Sequence, residues 1–270
     1  KHLCLSDAYA SYITFYISLL MSCKFLAFNI HYKLFNGSMM NGIIGGTSLL
    51  KSTIFSRWTS KKIETPYGST SVKIKNNNVF IQRHGNPPVP PHKINFRANI
   101  WALKYLNVQK VVSVNSVGSL KLKIQPGTFL IPRDFISLWI ATSFYDKEMK
   151  FIVPEMDLRL FKYISKLAKT LKMAVKSGGV YIQTIGPRLE TKAEIKILKR
   201  YGDVVGMTMP SETILCMEYE IPYASICSVD NYCNGILKEP LTTEELDINR
   251  KKNMQAIETF IRALLERNFE

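Results

Sequence analysis

Four short clusters of small polar and basic residues are the places where this chain could do chemistry. Gly45, Gly46 and Thr47 offer backbone amides and one hydroxyl, a set suited to an anion. Their spacing is neither GxGxxG nor a P-loop, so taken alone a plain tight turn is the better account of them. Arg83 and His84 close an apolar run just before Gly85. A guanidinium beside an imidazole suits phosphate oxygens, although surface pairs of this kind are common. Asn115, Ser116, Val117, Gly118 and Ser119 form a third small-polar cluster, and Thr208, after residues 204–207, a fourth. Ligands of open α/β sheets gather beyond strand ends, so four such ends in one chain point to an anion site.

Those ends need strands and helices to hold them. Residues 41–44 read as a strand that stops in the Gly45 turn, and β segments are expected at 71–74 and 79–83. A buried strand at 111–114 opens on 115–118, and further strands are expected at 128–131, 180–185, 203–207 and 223–229. Pro87, Pro88, Pro90 and Pro91 make 86–91 a loop, because proline neither donates to a ladder nor continues a helix. The spacing of Ile94, Ala98, Trp101 and Tyr105 predicts a helix over 92–106. Leu160, Ile164, Leu167 and Leu171 predict another over 157–171. Helices are also expected at 194–201, 212–220 and 243–266, the last capped by Thr242 or Thr243 ahead of Glu245. The alternation argues for an α/β fold, a three-layer sandwich with a central mixed β-sheet flanked by helices, in one domain over 39–270.

The composition of the 270 residues agrees with a packed domain. Hydrophobic residues at 46% exclude wholesale disorder. Lys and Arg number 36 against 21 Asp and Glu, a net charge of +15 that suits nucleic acid, an anionic substrate or a cationic surface. No basic run exceeds Arg250, Lys251 and Lys252, and no aromatic-rich basic motif occurs, which argues against nucleic acid. Five cysteines form no CxxC pair, and there are four histidines. A zinc ribbon, a disulfide scaffold and a multi-histidine metal site are therefore not expected, and the cysteine usage suits a reducing, cytoplasmic setting. Residues 1–38 read differently, apolar over 9–23 and again over 25–30 with Lys24 between. That is a broken candidate for the roughly 20 apolar residues of a bilayer span, and it lacks the marks of a secretory signal. The expectation is a leader or extension outside the core, with a weak membrane anchor as the rival.

The segments NGIIGGTS (41–48), RHG (83–85), NFRANIWALK (95–104), NSVGSL (115–120), SFYD (143–146), GPRLET (186–191), VVGMTMPSE (204–212) and ASICSVDNY (224–232) resemble the purine nucleoside phosphorylase superfamily. Within it they are most similar to the methylthioadenosine and methylthioinosine phosphorylase branch, in the family's order over most of the chain. The resemblance implies a pentosyltransferase in which orthophosphate attacks the anomeric carbon and a free purine leaves. It also implies no metal, no organic cofactor and a homotrimer or dimer of trimers. By matching motifs, Thr47, Arg83, His84, Ser116 and Thr208 hold phosphate, and Met207 lies under the ribose. Val117, Gly118, Leu189 and Cys233 complete the substrate pocket, with Asn231 and Glu190 acting on the base.

Cleaving the glycosidic bond builds positive charge on the sugar and negative charge on the purine. A phosphate anion below the ring answers the first, and donors or a proton at N7 and O6 answer the second. No nucleophile of the protein's own is needed, so Ser119 and Asp146 are read as structural. An Asn at 231 resembles the 6-oxopurine enzymes, and Glu190 matches the carboxylate that accepts from N1, which favours hypoxanthine. Asp230 leaves adenine open, because a bulge would rotate it inward. Inosine and guanosine enzymes meet the 5′ hydroxyl with a late histidine. This chain has none after His92, which favours a 5′-methylthio group. Leu189 stands where the family usually has phenylalanine, 86–91 lacks a histidine, and the loop over 135–144 is short and lacks an Arg-Pro pair. A nonenzymatic nucleoside-binding protein and a basic nucleic-acid-binding protein are the rivals from other classes.

Overall fold

The computed structural model describes residues 39–139, 142–238 and 243–269. In chain order the strands are β1 (Met40–Gly45), β2 (Thr59–Thr65), β3 (Gly68–Lys75), β4 (Asn78–Gln82), β5 (Val108–Ser119), β6 (Phe129–Ile131), β7 (Asp134–Ile136), β8 (Val175–Ser177), β9 (Val180–Gln183), β10 (Val204–Gly206) and β11 (Tyr223–Tyr232). The helices are α1 (Phe96–Tyr105), α2 (Leu158–Thr170), α3 (Lys192–Tyr201), α4 (Met209–Glu218) and α5 (Thr243–Glu266).

Alternation along the strands decides the layers. Successive strand residues point to opposite faces, so Ile44 and Val111 enter one core cluster while Ile43 and Val112 enter another. The first cluster takes Ile100 and Leu103 from α1 and Leu215 from α4. The second takes Leu160, Ile164 and Leu167 from α2 and Ile257, Phe260 and Leu264 from α5. A smaller third cluster packs Ile195 and Leu198 of α3 on Ile182 and Val205. Helices therefore cover both faces of a mixed sheet, the expected three-layer sandwich.

Among the described residues the strands form one 11-stranded sheet, whose main path runs β2-β3-β4-β1-β5-β10-β9-β7. β11 pairs with β5 and β6, and β6 also pairs with β8. β5 organises the site. It runs parallel to β1 and β11, while Gly118 and Ser119 at its end pair antiparallel with β10.

Several boundaries differ from expectation. α1 begins at Phe96 and not at 92, because Pro91–Lys93 forms a 3-10 turn and the Asn95 side chain caps the helix by accepting from the Ala98 N–H at 3.0 Å. β5 does not open at Asn115 but continues to Ser119, since β11 pairs along it to Tyr232. β11 likewise outruns its expected end at 229. α4 starts at Met209, with Pro210 in the first turn where its missing N–H costs no helical bond. β2 was not foreseen, because in TSKKIET only Ile63 is buried. Residues 1–38 and the Thr242 cap lie outside the described residues, as does the Thr243 side chain.

Candidate active site

Phosphate-type donors arrive from four elements. Gly46, directly after β1, turns the chain into a short 3-10 segment, Thr47–Leu49. Thr47 Oγ1 donates to Ser116 Oγ of β5 at 2.8 Å, and Ser48 Oγ lies 2.7 Å from the same oxygen. Arg83, at the end of β4, is almost wholly buried. Its Nε donates to Glu212 Oε1 at 2.5 Å, its Nη2 to Glu212 Oε2 at 3.2 Å and its Nη1 to the Val114 carbonyl at 2.7 Å. Burial works against its charge, but Glu212 more than offsets this and raises its pKa. The guanidinium lies across Gly46, where an added Cβ would sit 2.0 Å from Nη1.

His84 is also buried, and its Nδ1 lies 2.8 Å from the Val89 carbonyl. Desolvation, helped by the charge of Arg83, lowers its pKa from 6.5, against the pull of the Val89 bond. Thr208 precedes α4, and its Oγ1 accepts from Asn115 Nδ2 at 2.8 Å.

A second group comes from β11 and the segment before α3. The pairing register shifts between Val229 and Asn231, a bulge that sets Asn231 opposite Gly118. Both Asp230 and Asn231 consequently border the same cavity. Asp230 Oδ1 accepts from Ser228 Oγ at 2.5 Å, while Asn231 Nδ2 donates to the Tyr232 carbonyl at 2.8 Å. Cys233 and Asn231 crowd Gly118, whose added Cβ would lie 2.7 Å from the Cys233 sulfur and 3.2 Å from Asn231 Nδ2. Burial, and then Glu190, push the Cys233 thiol up.

The GPRLET segment presents Leu189 and Glu190. Its geometry is fixed by a capping box between Thr191 and Glu194 and by two bonds from Arg188 to Glu194, at 2.8 and 2.7 Å. Arg188, together with the Thr191 N–H, holds the Glu194 carboxyl down at about 2. Glu190 accepts from Thr184 Oγ1 at 2.6 Å, and Asn234 Nδ2 donates to its carbonyl. Gly186, at φ +69, lets Met207 pack where an added Cβ would meet its sulfur at 2.5 Å.

All twelve residues singled out from the sequence line one cavity of ≈ 150 Å³: Thr47, Arg83, His84, Ser116, Val117, Gly118, Leu189, Glu190, Met207, Thr208, Asn231 and Cys233. Pro91, Val205, Gly206 and Asn234 line it too and were not anticipated. Behind the wall stand Glu212 and Tyr223, to which the sequence assigned no role, although Glu212 closes the VVGMTMPSE segment (204–212). Ser119 and Asp146, read as structural from the sequence, both have protein partners, and Asp146 also borders a second cavity. Ser119 Oγ donates to the Lys121 carbonyl, and Asp146 pairs with Arg97. A neighbouring cavity of ≈ 520 Å³ shares Pro91 and Met207 and adds His92, Arg97 and Ser143. Among the described residues no group of three or more His, Cys, Asp or Glu could hold a metal ion, and no helix is long and apolar enough to cross a membrane.

Residues 42–266 match the sequence model of the Phosphorylase superfamily. The chain is 41% identical over 237 residues to a probable S-methyl-5′-thioinosine phosphorylase of Methanocaldococcus jannaschii, covering 82% of this chain and 92% of that one. It is 38% identical over 240 residues to an S-methyl-5′-thioadenosine phosphorylase of Saccharolobus solfataricus, covering 84% and 88%. Among solved structures, methylthioadenosine phosphorylase from Schistosoma mansoni in complex with adenine superposes with a TM-score of 0.75 at 23% identity, over 86% of this chain and 93% of that one, a likeness of fold.

Proposed function

The chain belongs to the phosphorylase superfamily and is a purine nucleoside phosphorylase of the pentosyltransferase type. From that premise we propose that its substrate is a 5′-methylthio purine nucleoside, with methylthioinosine preferred, giving hypoxanthine and 5-methylthioribose 1-phosphate. The observation that carries this reading is the convergence of two chemically distinct groups on one cavity. One is cationic and hydroxylic, from Thr47, Arg83, His84, Ser116 and Thr208; the other is an amide and a carboxylate, Asn231 and Glu190.

In this reading orthophosphate is the co-substrate and no cofactor is required. Arg83 offers the N–H groups not spent on Glu212 and Val114, Ser116 and Thr208 offer hydroxyls, and Thr47 joins them once phosphate replaces Ser116 as the acceptor of its one hydroxyl hydrogen. Met207 lies under the ribose, with Val117, Gly118, Leu189 and Cys233 enclosing the nucleoside. Asn231 keeps one amide hydrogen beyond its bond to Tyr232, enough to answer N7 or O6 as charge builds on the leaving base. Glu190 accepts from N1–H. A homotrimer or dimer of trimers and a cytoplasmic setting belong to the same proposal.

Two other substrates each have an observation in their favour. Asp230 borders the cavity, which supports adenine, although Ser228 and the Asn253 amide already hold one of its oxygens. His92 in the adjoining cavity supports inosine or guanosine, whose 5′ hydroxyl needs a partner. The test is phosphate-dependent release of base from methylthioinosine, methylthioadenosine, inosine and guanosine. The expected result is hypoxanthine from methylthioinosine at the highest kcat/KM. Faster release of adenine transfers the assignment to methylthioadenosine, and base release that ignores phosphate overturns the reaction itself.

A further inference from the structure

Beneath the cavity floor a chain of buried polar groups joins two of the residues that face it. Arg83 donates to both carboxylate oxygens of Glu212, and the Tyr223 hydroxyl donates to Glu212 Oε2 at 2.8 Å. Tyr223 lies 2.5 Å from Ser113 Oγ, which donates to Asn115 Oδ1 at 2.7 Å. Asn115 Nδ2 then reaches Thr208 Oγ1. Arg83 and Glu212 side chains are 1% and 2% exposed, so neither exchanges its partner for water. None of the groups between the two ends borders the cavity, and the reaction as described has no use for them.

We propose that Glu212 is a positioning residue for phosphate, acting through Arg83 directly and through Tyr223, Ser113 and Asn115 on Thr208. The proposal rests on the phosphorylase reading and extends it to residues outside the cavity. Arg83 carries five N–H groups in a rigid fork. Glu212 takes Nε and one hydrogen of Nη2, and Val114 takes one of Nη1, so one hydrogen on each terminal nitrogen remains for a ligand. Three fixed acceptor contacts thus leave the two remaining donors a single orientation. At the far end, Thr208 Oγ1 accepts from Asn115, which leaves its own proton free to be donated.

A buried ion pair contributes little net stability against an apolar replacement, yet breaking one partner is severe. Glu212→Gln therefore tests the idea while keeping the shape, since its amide nitrogen presents hydrogens to an Arg83 that needs an acceptor. The expected result is a phosphate KM raised at least about tenfold, with the nucleoside KM changed less than about twofold. Inorganic phosphate should also lose most of the Tm shift it gives the wild-type protein. Tyr223→Phe removes one bond to Glu212 and leaves Arg83 paired, so a smaller rise, about threefold, is expected in phosphate KM alone. It also serves if the Gln variant fails to fold. A merely structural Glu212 would lower Tm in both variants without separating the two KM values. Unchanged phosphate KM and Tm shift in the Gln variant, or an unchanged phosphate KM in a folded Phe variant, overturn the proposal. Wild-type protein whose base release ignores phosphate would overturn the phosphorylase reading instead, so the two failures are distinguishable.

Discussion

His84 faces the cavity with one ring nitrogen already spent. Nδ1–H donates to the Val89 carbonyl, so in the neutral ring Nε2 has only a lone pair to offer. A phosphate oxygen needs a donor, and His84 can supply one only after Nε2 gains a proton. Burial and Arg83 depress its pKa in the empty site, and a bound anion must raise it. Phosphate binding therefore takes up a proton at a pH between those two values, and affinity weakens as pH rises past the higher one. Calorimetry in buffers of different ionisation enthalpy near pH 6.5 should show more uptake in wild type than in His84→Gln, because the ionisation of phosphate itself is common to both. Equal uptake would remove His84 from phosphate binding. For folding the sign is opposite to that of a His gaining an anionic partner. The contribution of the neutral ring is present above the unfolded value of 6.5 and is lost as pH falls towards the lower folded one. At the base, Asn231→Asp sets a carboxylate against O6, so the methylthioinosine-to-methylthioadenosine ratio of kcat/KM should move towards adenine by about one to three decades. A ratio that stays put makes Asp230 the residue to test. Arg83 and Thr208 stood out as small motifs at strand ends and Asn231 through the family resemblance, and all three border the cavity. Glu212 closes the VVGMTMPSE segment, but its role could not be read there, since its partner Arg83 is 129 residues away and no local pattern announces the pair.

Elements ending at the site differ in what their small residues are for. Gly46 follows β1 with φ at −112°, a conformation open to any residue, so its role is space for the Arg83 guanidinium. Gly46→Ala is expected to shift that group and raise phosphate KM about tenfold, as loss of a charged hydrogen bond would. Gly42, inside β1, faces Val108 and Val111, and an added Cβ would meet them at 2.9 and 3.0 Å. Gly42→Ala should therefore cost about 1–3 kcal/mol of stability through overpacking and leave the phosphate KM of the folded enzyme alone. Denaturant unfolding together with phosphate kinetics on both variants separates space for a ligand donor from space for a core. Periodicity made α2 legible to within a residue at each end, since its apolar spacing needs no distant partner. The Lys-rich edge strand β2 and the continuation of β5 through Asn115 depend on neighbours far along the chain, which explains why local pattern missed one and truncated the other.

At the scale of the whole molecule, the described residues on either side of the SFYD segment expose an unusual number of apolar side chains. Leu138, Trp139, Met149, Phe151 and Val153 range from 54% to 93% exposed. Single exposed apolar residues are ordinary, whereas five within sixteen positions form a surface that association would bury. The same stretch supplies Thr142, Ser143 and Asp146 to the cavity that meets the substrate cavity at Pro91 and Met207. A second copy covering this run would also lie against that neighbouring cavity, so under the proposed reading assembly is expected to affect nucleoside binding more than phosphate binding. The +15 charge opposes association of identical chains, and salt screens that repulsion. Light scattering is expected to give the mass of a trimer or a multiple of it, held more firmly as ionic strength rises. Replacing both Phe151 and Val153 by Glu should shift the mass towards the monomer and raise nucleoside KM more than phosphate KM. A fully active wild-type monomer, or a dissociated double variant with both KM values unchanged, would show that each chain builds its nucleoside site alone.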